Sequence, residues 1–232
     1  MDRAALPKYV QLSEMLIREI AAGHLADGAR LPPEREMAVD LSVSVGTLRK
    51  ALSDLETKGL LERVQGSGNY VQARTVTESV YAFFRLELKA GGGLPTAEVL
   101  SVDRLPKPSD APAFGAHSEG HRIRRLRRLS GTPAAVEEIW LDAGFTETVA
   151  REDLSESLYL FYKRDLGLII DRAEDRLGVA TVPDWAPVEF GRTAGETLGF
   201  IERVSWAQDG APAEFSRTWF DDRKVAYINR LK

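Results

Sequence analysis

The densest positive charge in the sequence is a short segment, residues 122–128, which holds five arginines. If this segment is a β-strand, its side chains alternate between two faces, and Arg125 and Arg127 share one face with Ile123 and Leu129. Such a face is not purely solvent-facing. Because the planar guanidinium group suits carboxylate and phosphate, the pattern predicts that Arg125 and Arg127 bind a small anion and not nucleic acid.

A second group of polar side chains lies near the N-terminus. Arg49 and Lys50 fall in the first turns of a predicted helix, on the side away from its apolar residues, where side chains reach base edges or phosphates of DNA. Ser44 and Thr47 are short hydrogen-bond donors at the start of the same helix and suit phosphate contact. These four residues are therefore candidates for DNA binding.

Two further residues extend this candidate surface. Arg35 lies at the start of the preceding helix, and Gly66 lies in a Gly-x-Gly turn that can approach a groove without a Cβ in the way. The alternative for Arg35 and Arg49 is a solvated ion pair with a nearby carboxylate such as Glu34, which contributes little to stability.

No arrangement typical of a catalytic or metal site stands out. The chain has no cysteine, which excludes disulfides, Fe–S clusters and thiol catalysis. Its three histidines are scattered, with His24 far in the sequence from His117 and His121. Glu137 and Glu214 are candidates for a paired-carboxylate site, so a lyase-like enzyme remains an alternative. We predict no catalytic residues, no metal and no cofactor.

The overall charge gives little support for a nucleic-acid partner. The 232 residues carry a formal net charge of −4, and residues 1–73 hold nine Lys and Arg against ten Asp and Glu. DNA-binding domains are usually basic, so contact with DNA depends on where a few cations lie, and we expect weak non-specific binding. With no signal peptide and no apolar stretch of about 18 residues, we expect a cytoplasmic protein without a membrane partner.

The elements that position these residues are three helices and a hairpin in residues 8–73. Apolar residues recur every three or four positions over 9–22, and two further helices follow, the second with Ser44 as its N-cap. Two short strands, 60–64 and 69–72, are joined by a Gly-containing turn. The second and third helices are about four residues apart, which is the spacing of a helix-turn-helix, and the hairpin is typical of a wing.

The remainder of the chain predicts an α+β domain with antiparallel strands. A polar segment, residues 73–79, is predicted to be a linker, and turns at Ser130-Gly131 and Asp209-Gly210 predict β-hairpins. Helices are expected at 157–165 and 187–191 and near 106–114. The expected strands are 80–88, 97–103, 121–129, 134–141, 171–178, 200–208 and 213–220.

The N-terminal part resembles a known family through four strings of residues at correlated positions. These are Pro7-Lys8-Tyr9, Leu31-Pro32-Pro33-Glu34-Arg35-Glu36, residues 41–52 and Gly66-Ser67-Gly68-Asn69-Tyr70-Val71. In this order, over residues 7–72, they resemble the winged helix-turn-helix of GntR-family transcriptional regulators. The resemblance implies that Arg35, Arg49 and Gly66 contact DNA. Many members carry an arginine where this chain has Val45, which implies a different operator sequence.

The C-terminal part resembles the UTRA effector-binding domain of the HutC subfamily of GntR regulators. Four motifs carry the resemblance: Arg-Leu-Arg at 125–127, Gly-x-Pro-x-x-x-Glu at 131–137, Ser-Leu-Tyr at 157–159 and Gly-x-Pro-x-Glu at 210–214. Each is weak alone, and together they cover about residues 80–230. The resemblance implies a chorismate-lyase-like fold with an antiparallel sheet, a small-molecule pocket and dimerisation through this domain.

The resemblance also implies which side chains form the pocket. It gives two arginines for an anionic group, two donors at a helix start, two carboxylate acceptors and a tyrosine that closes the pocket: Arg125 and Arg127, Ser157 and Tyr159, Glu137 and Glu214, and Tyr227. The alternative for Glu137 and Glu214 is an ion pair with an arginine on a neighbouring strand, and for Tyr159 it is a place in the core.

The sequence therefore predicts a DNA-binding transcriptional regulator, most simply a repressor, with residues 1–73 binding DNA and residues 74–232 binding an effector. We expect a homodimer on a pseudo-palindromic double-stranded operator, with affinity modulated by a small anionic metabolite. The lyase-like enzyme and a DNA-binding protein without an effector remain as alternatives. The sequence identifies neither the effector nor the operator.

Overall fold

The computed structural model of the chain describes residues 6–72, 81, 83–91 and 93–230. Contacts between residues divide it into an N-terminal unit, with described residues from 6–85, 90–94 and 228–230, and a C-terminal unit of 86–89 and 95–227. The predicted linker, residues 73–79, lies outside the described residues.

Three helices build the N-terminal unit: α1 (Lys8–Ala22), α2 (Glu34–Asp40) and α3 (Val45–Thr57). Their apolar faces meet in one buried core, which includes Leu12, Leu16, Ile20, Leu48, Leu52 and Leu55. Ser44 caps α3 as predicted, because its Oγ accepts a hydrogen bond from the backbone N–H of Thr47 at 3.1 Å. The helix-turn-helix is confirmed, since four residues separate α2 from α3.

The wing follows α3 as an antiparallel hairpin of β1 (Leu61–Val64) and β2 (Gly68–Val71). Its turn uses Gly66 at φ +75°, a conformation that favours glycine. The structure adds a neighbour that the sequence did not predict. Arg30 forms a β-bridge with Tyr70, so the segment before α2 lies alongside β2.

The C-terminal unit contains eight strands in its described residues, and six of them form one antiparallel sheet in the order β4-β5-β6-β9-β8-β7. Two others, β3 and β10, pair with each other. The strands are β3 (Leu86–Leu88), β4 (Pro95–Pro106), β5 (Glu119–Leu129), β6 (Thr132–Asp142), β7 (Ile170–Thr181), β8 (Thr197–Ala207), β9 (Pro212–Phe220) and β10 (Val225–Tyr227). The predicted α+β class with an antiparallel sheet is confirmed.

One face of this sheet carries an apolar row across four strands, next to a charged row of Arg124, Glu138, Arg217 and Glu202. Leu126, Val136, Trp219 and Phe200 lie opposite one another on four successive strands. Phe190, from a single 3₁₀ turn (Val188–Phe190), is fully buried against them. This packing supplies one hydrophobic core of the C-terminal unit.

The opposite face, here called the polar face, carries Arg125, Arg127, Glu137, Arg203 and Glu214. It is covered by residues 154–166, which comprise a short helix, α4 (Leu158–Phe161), and a π-helical turn (Tyr162–Leu166). The helix predicted at 157–165 is thus present, with a wider last turn.

Two predicted elements are wrong. Among the described residues of the strand expected at 80–88, only Leu86–Leu88 are in a strand, because Tyr81 and Phe84 form a turn in which Phe84 N–H donates to the Tyr81 carbonyl. The connector 106–114 is not helical, since prolines at 106, 108 and 112 disfavour helical backbone in the residues before them. The short strand β10 was not predicted.

Candidate functional site

The start of α3 presents the polar side chains that the sequence singled out. Arg49 and Lys50 are exposed, whereas Leu48 between them and the cap is fully buried. The hydroxyls of Ser44 and Thr47 are 2.8 Å apart and complete the N-cap. The first turns of α3 therefore offer two cations and two hydroxyl groups on an accessible surface.

Arg49 is held by an ion pair with α2. Its Nε donates to Glu34 Oε2 at 2.6 Å, although the Arg49 side chain remains 64% exposed. In the described part of the chain, the two terminal amino groups of Arg49 have no acceptor. Arg63 of the wing donates to the Arg49 carbonyl at 3.2 Å, so β1 is attached to α3 at this point. Glu34 fixes the direction of the Arg49 guanidinium and leaves its outer edge available for a ligand.

The wing and the start of α2 enclose an open groove of about 530 Å³. Its lining includes Arg30, Pro33, Glu34, Arg63, Gly66 and Gly68. Glu34 lines this groove and also pairs with Arg49, so the groove lies beside the first turns of α3. Arg35 and Lys50 are exposed, and no carboxylate of the described residues lies within ion-pair distance of either. The predicted DNA-contacting residues of α3 and the wing thus share one continuous surface.

On the polar face of the C-terminal unit, Arg125 and Arg127 share the carboxylate of Glu137. Oε2 of Glu137 lies 2.7 Å from Arg125 and 3.1 Å from Arg127, and all three side chains are buried. Burial by itself raises the pKa of Glu137, but the two guanidinium groups more than offset this and lower that pKa from 4.5 to about 2. The backbone carbonyl of Glu156 accepts further hydrogen bonds from both arginines.

A second cluster surrounds Glu214, which is 2% exposed. Tyr159 and Tyr162 donate to its two carboxylate oxygens at 3.1 and 2.7 Å, and Ser205 donates at 3.1 Å. Burial raises the pKa of Glu214 despite these hydrogen bonds. The pKa of Tyr159 is raised for the same reason and by the adjacent Glu214 carboxylate. A carboxyl group surrounded by hydroxyl groups in this way is suited to exchange hydrogen bonds with a hydroxyl-bearing ligand.

Tyr227 joins a third cluster at the β7 edge of the sheet. Its hydroxyl donates to Asp175 at 2.7 Å, and Asp175 also receives two hydrogen bonds from Arg203, at 2.5 and 2.7 Å. Burial lowers the pKa of Arg203, but Asp175 more than offsets this and the pKa rises. Arg203 also interacts with Tyr159, so the third cluster is continuous with the second.

The seven residues predicted for the pocket therefore lie on the polar face or on the segments that contact it. Ser157 caps α4, with its Oγ accepting from Leu160 N–H at 3.4 Å, next to the Glu156 carbonyl that receives the arginines. Sequence reasoning missed Tyr162, Arg203 and Asp175. The sequence indicated only weakly that these three residues belong to a site, because charged residues are common on exposed strands and aromatic residues are common in cores.

Within the described ranges, no group of three or more His, Asp or Glu residues is arranged to hold a metal ion. None of the described helices is long and apolar enough to cross a membrane.

Comparison with known proteins agrees with both units. The family model "Bacterial regulatory proteins, gntR family" matches residues 8–71, and the model "UTRA domain" matches residues 90–226. The HTH-type transcriptional regulator SmoD of Agrobacterium fabrum is 59% identical over 228 residues, which cover 98% of this chain and 97% of SmoD.

Two proteins with lower sequence identity are also similar over nearly the whole chain. The mannosyl-D-glycerate transport/metabolism system repressor MngR of Escherichia coli is 27% identical over 237 residues, 97% of each chain. The crystal structure of YydK from Bacillus subtilis has the same fold, with a TM-score of 0.56, 22% identity and coverage of 98% of this chain and 100% of that chain.

A winged helix-turn-helix with an exposed basic helix start, joined in one chain to an α+β domain with a polar sheet face, defines a DNA-binding transcription regulator with an effector domain. The chain belongs to the GntR family of bacterial regulators and has the UTRA architecture of the HutC subfamily. It is a regulator and not an enzyme, so the lyase-like alternative is dropped.

Proposed function

We propose that the protein is a homodimeric repressor in the cytoplasm that binds a pseudo-palindromic operator and changes its affinity when a small anionic metabolite binds. In this proposal residues 1–73 bind DNA and residues 74–232 bind the effector and form the dimer. Each winged helix takes one half-site, with the half-sites about one helical turn apart. The observation that carries the DNA-binding part is the fixed but outward-facing guanidinium of Arg49 at the start of α3.

The proposed DNA contacts are two cations on α3, one on α2, two hydroxyls and the wing tip: Arg49, Lys50, Arg35, Ser44, Thr47 and Gly66. Arg49 reads a guanine or holds a phosphate with its two free terminal amino groups. Val45, half-buried beside the cap, offers a methyl contact in place of an arginine. Gly66 is exposed at the turn of the wing, which suits approach to the minor groove.

The proposed effector contacts are Arg125, Arg127, Glu137, Ser157, Tyr159, Glu214 and Tyr227. The Nε of Arg125 supports an anionic ligand, because it is buried and has no hydrogen-bond partner in the described residues. MngR is named for mannosyl-D-glycerate, in which glycerate carries a carboxylate. The effector shifts operator affinity only as far as it binds the two states of the protein with different affinity.

The DNA-binding part is tested with an operator that the purified full-length protein selects from a pool of random duplexes. Arg49→Ala is expected to weaken binding to this operator by about tenfold or more, measured by fluorescence anisotropy, and Arg49→Lys is expected to recover only part of the loss. Arg176→Gln is the matched control, because Arg176 is 75% exposed on β7 and pairs with Glu174. Unchanged affinity of Arg49→Ala, or a monomer bound to the operator in light scattering, contradicts the proposal.

The effector part is tested by thermal-shift screening of anionic metabolites, including sugar phosphates, phosphonates, amino-acid catabolites and fatty acids. A compound that stabilises the protein is then added to the operator complex. The double variant Arg125→Ala with Arg127→Ala is expected to bind the operator but to lose the response to that compound. A response that persists in the double variant means that the pocket lies elsewhere.

A further inference from the structure

Arg30 lies directly against the wing. A Cβ built on Gly68 would be 3.1 Å from Arg30 Nε and 3.6 Å from its Nη2, so the guanidinium occupies the space that a side chain would take. Gly68 also has φ +134°, a conformation that L side chains rarely adopt. The positive φ of Gly68 favours glycine at this position, and the absence of a side chain there lets the Arg30 guanidinium lie close to the backbone of the wing.

The backbone of the same segment is fixed to the wing. Arg30 forms a β-bridge with Tyr70, Leu31 N–H donates to the Asn69 carbonyl at 2.8 Å, and Val71 N–H donates to the Ala29 carbonyl at 2.9 Å. Residues 29–31 thus act as a third strand of the wing. The position of the Arg30 backbone is therefore fixed, and its side chain lines the groove between the wing and α2.

The charge of Arg30 is not compensated within the described residues. Two other arginines of this unit are paired with carboxylates, Arg49 with Glu34 and Arg63 with Glu56. No carboxylate of the described residues lies within ion-pair distance of Arg30, and its side chain is exposed. In this it resembles Arg35 and Lys50, which the proposed function assigns to DNA.

We propose that Arg30 is an additional DNA-contacting residue, which holds a backbone phosphate of the operator beside the wing. The inference rests on the proposed function, because it requires the wing to approach DNA. An exposed guanidinium that lies in an open groove, with no carboxylate partner among the described residues, is suited to bind an oxyanion through two parallel hydrogen bonds, and the phosphates of DNA have that chemistry.

A phosphate is favoured over a base edge because of where Arg30 is attached. Gly66 forms the tip of the wing, whereas Arg30 packs on Gly68 at the first residue of β2, one step behind the tip. If the tip enters the minor groove, a residue behind it meets the sugar-phosphate strand that borders the groove. A phosphate contact contributes affinity without sequence preference, and this property distinguishes it in a binding assay.

The test is Arg30→Gln in the full-length protein, a change that keeps much of the side-chain length and removes the charge. Binding is measured by anisotropy to the selected operator and to a scrambled duplex, between about 50 and 200 mM salt. We expect about tenfold weaker binding to both duplexes and a salt slope smaller by about two for the dimer, one for each copy of Arg30. Circular dichroism at 222 nm checks that the helices of the N-terminal unit are intact, and Arg176→Gln again serves as the control.

Each outcome is decisive. Equal loss on both duplexes with a reduced salt slope supports a phosphate contact. An unchanged affinity, a loss with an unchanged salt slope, or a loss confined to particular operator base pairs overturns it. If the wild-type protein itself does not bind DNA, the proposed function fails. If the wild-type protein binds DNA and Arg30→Gln binds it equally well, only the role of Arg30 is excluded.

Discussion

Replacing Glu137 by glutamine removes the carboxylate that Arg125 and Arg127 share, while the size of the side chain is nearly unchanged. In the folded chain the pKa of Glu137 is lowered from 4.5 to about 2, which corresponds to about 3 kcal/mol of stabilisation at neutral pH. Breaking a buried ion pair by removing one partner costs about 3–5 kcal/mol, which agrees with this value. We therefore expect Glu137→Gln to lower the free energy of unfolding of the C-terminal unit by about 3 kcal/mol.

The assay uses the intrinsic fluorescence of the protein. All four tryptophans, Trp140, Trp185, Trp206 and Trp219, belong to the C-terminal unit, so tryptophan emission during heating reports on that unit. A loss of about 3 kcal/mol corresponds to a decrease in Tm of roughly 6 to 12 °C for a domain of this size. The pH dependence has a defined sign. Because the folded pKa is below the unfolded one, the stabilisation is complete above about pH 4.5 and is lost as the pH falls towards 2.

Glu98→Gln is the matched control. Glu98 is on the same sheet, but its side chain is 57% exposed and lies 3.7 Å from Arg128, so its loss is expected to change stability by less than about 0.5 kcal/mol. If Glu137→Gln changes the Tm no more than Glu98→Gln does, the argument that Glu137 stabilises a buried arginine pair is refuted.

Two further changes test the remaining parts of the structure. Ser44→Ala removes the N-cap of α3 and is expected to lower stability by about 1 kcal/mol, measured by urea unfolding at 222 nm; an unchanged midpoint would show that the cap contributes nothing. Glu214→Gln tests how the stability of the fold depends on pH. Burial raises the pKa of Glu214, so its contribution is most favourable below the unfolded pKa and is lost as the pH rises through the folded value. The glutamine variant should therefore show a flatter decrease of stability with rising pH, and a slope equal to that of the wild type would count against a raised pKa of the buried Glu214 carboxyl.

The N-terminal unit was predicted well because its signals are local. The helical spacing of Leu12, Leu16 and Ile20 and the capping serine at 44 each act within a few residues, and the structure places them as expected. The hairpin turn at Ser130-Gly131 is local in the same way, since both residues have positive φ. The helix expected near 106–114 was a wrong prediction although the prolines were visible, and the structure has a turn there in which Ala111 N–H donates to the Pro108 carbonyl.

The contacts within the polar face depend on pairs of residues that are distant in sequence. Tyr159 and Glu214 are 55 residues apart, and Asp175 and Tyr227 are 52 apart. Their meeting depends on the order of strands in the sheet and on the segment that covers it, and neither is encoded in the local pattern. Sequence motifs named Glu214 and Tyr227 as candidates, but not the partners that hold them.

By itself, the sequence determined the two-part organisation, the winged helix and the strand that carries Arg125 and Arg127. Only the tertiary structure decided that these arginines share Glu137, that Glu214 is surrounded by two tyrosines and that Arg30 packs on the wing. The physical reason is that periodicity, caps and turns act over a few residues, whereas ion pairing and burial depend on which distant segments the fold brings within a few ångströms of each other.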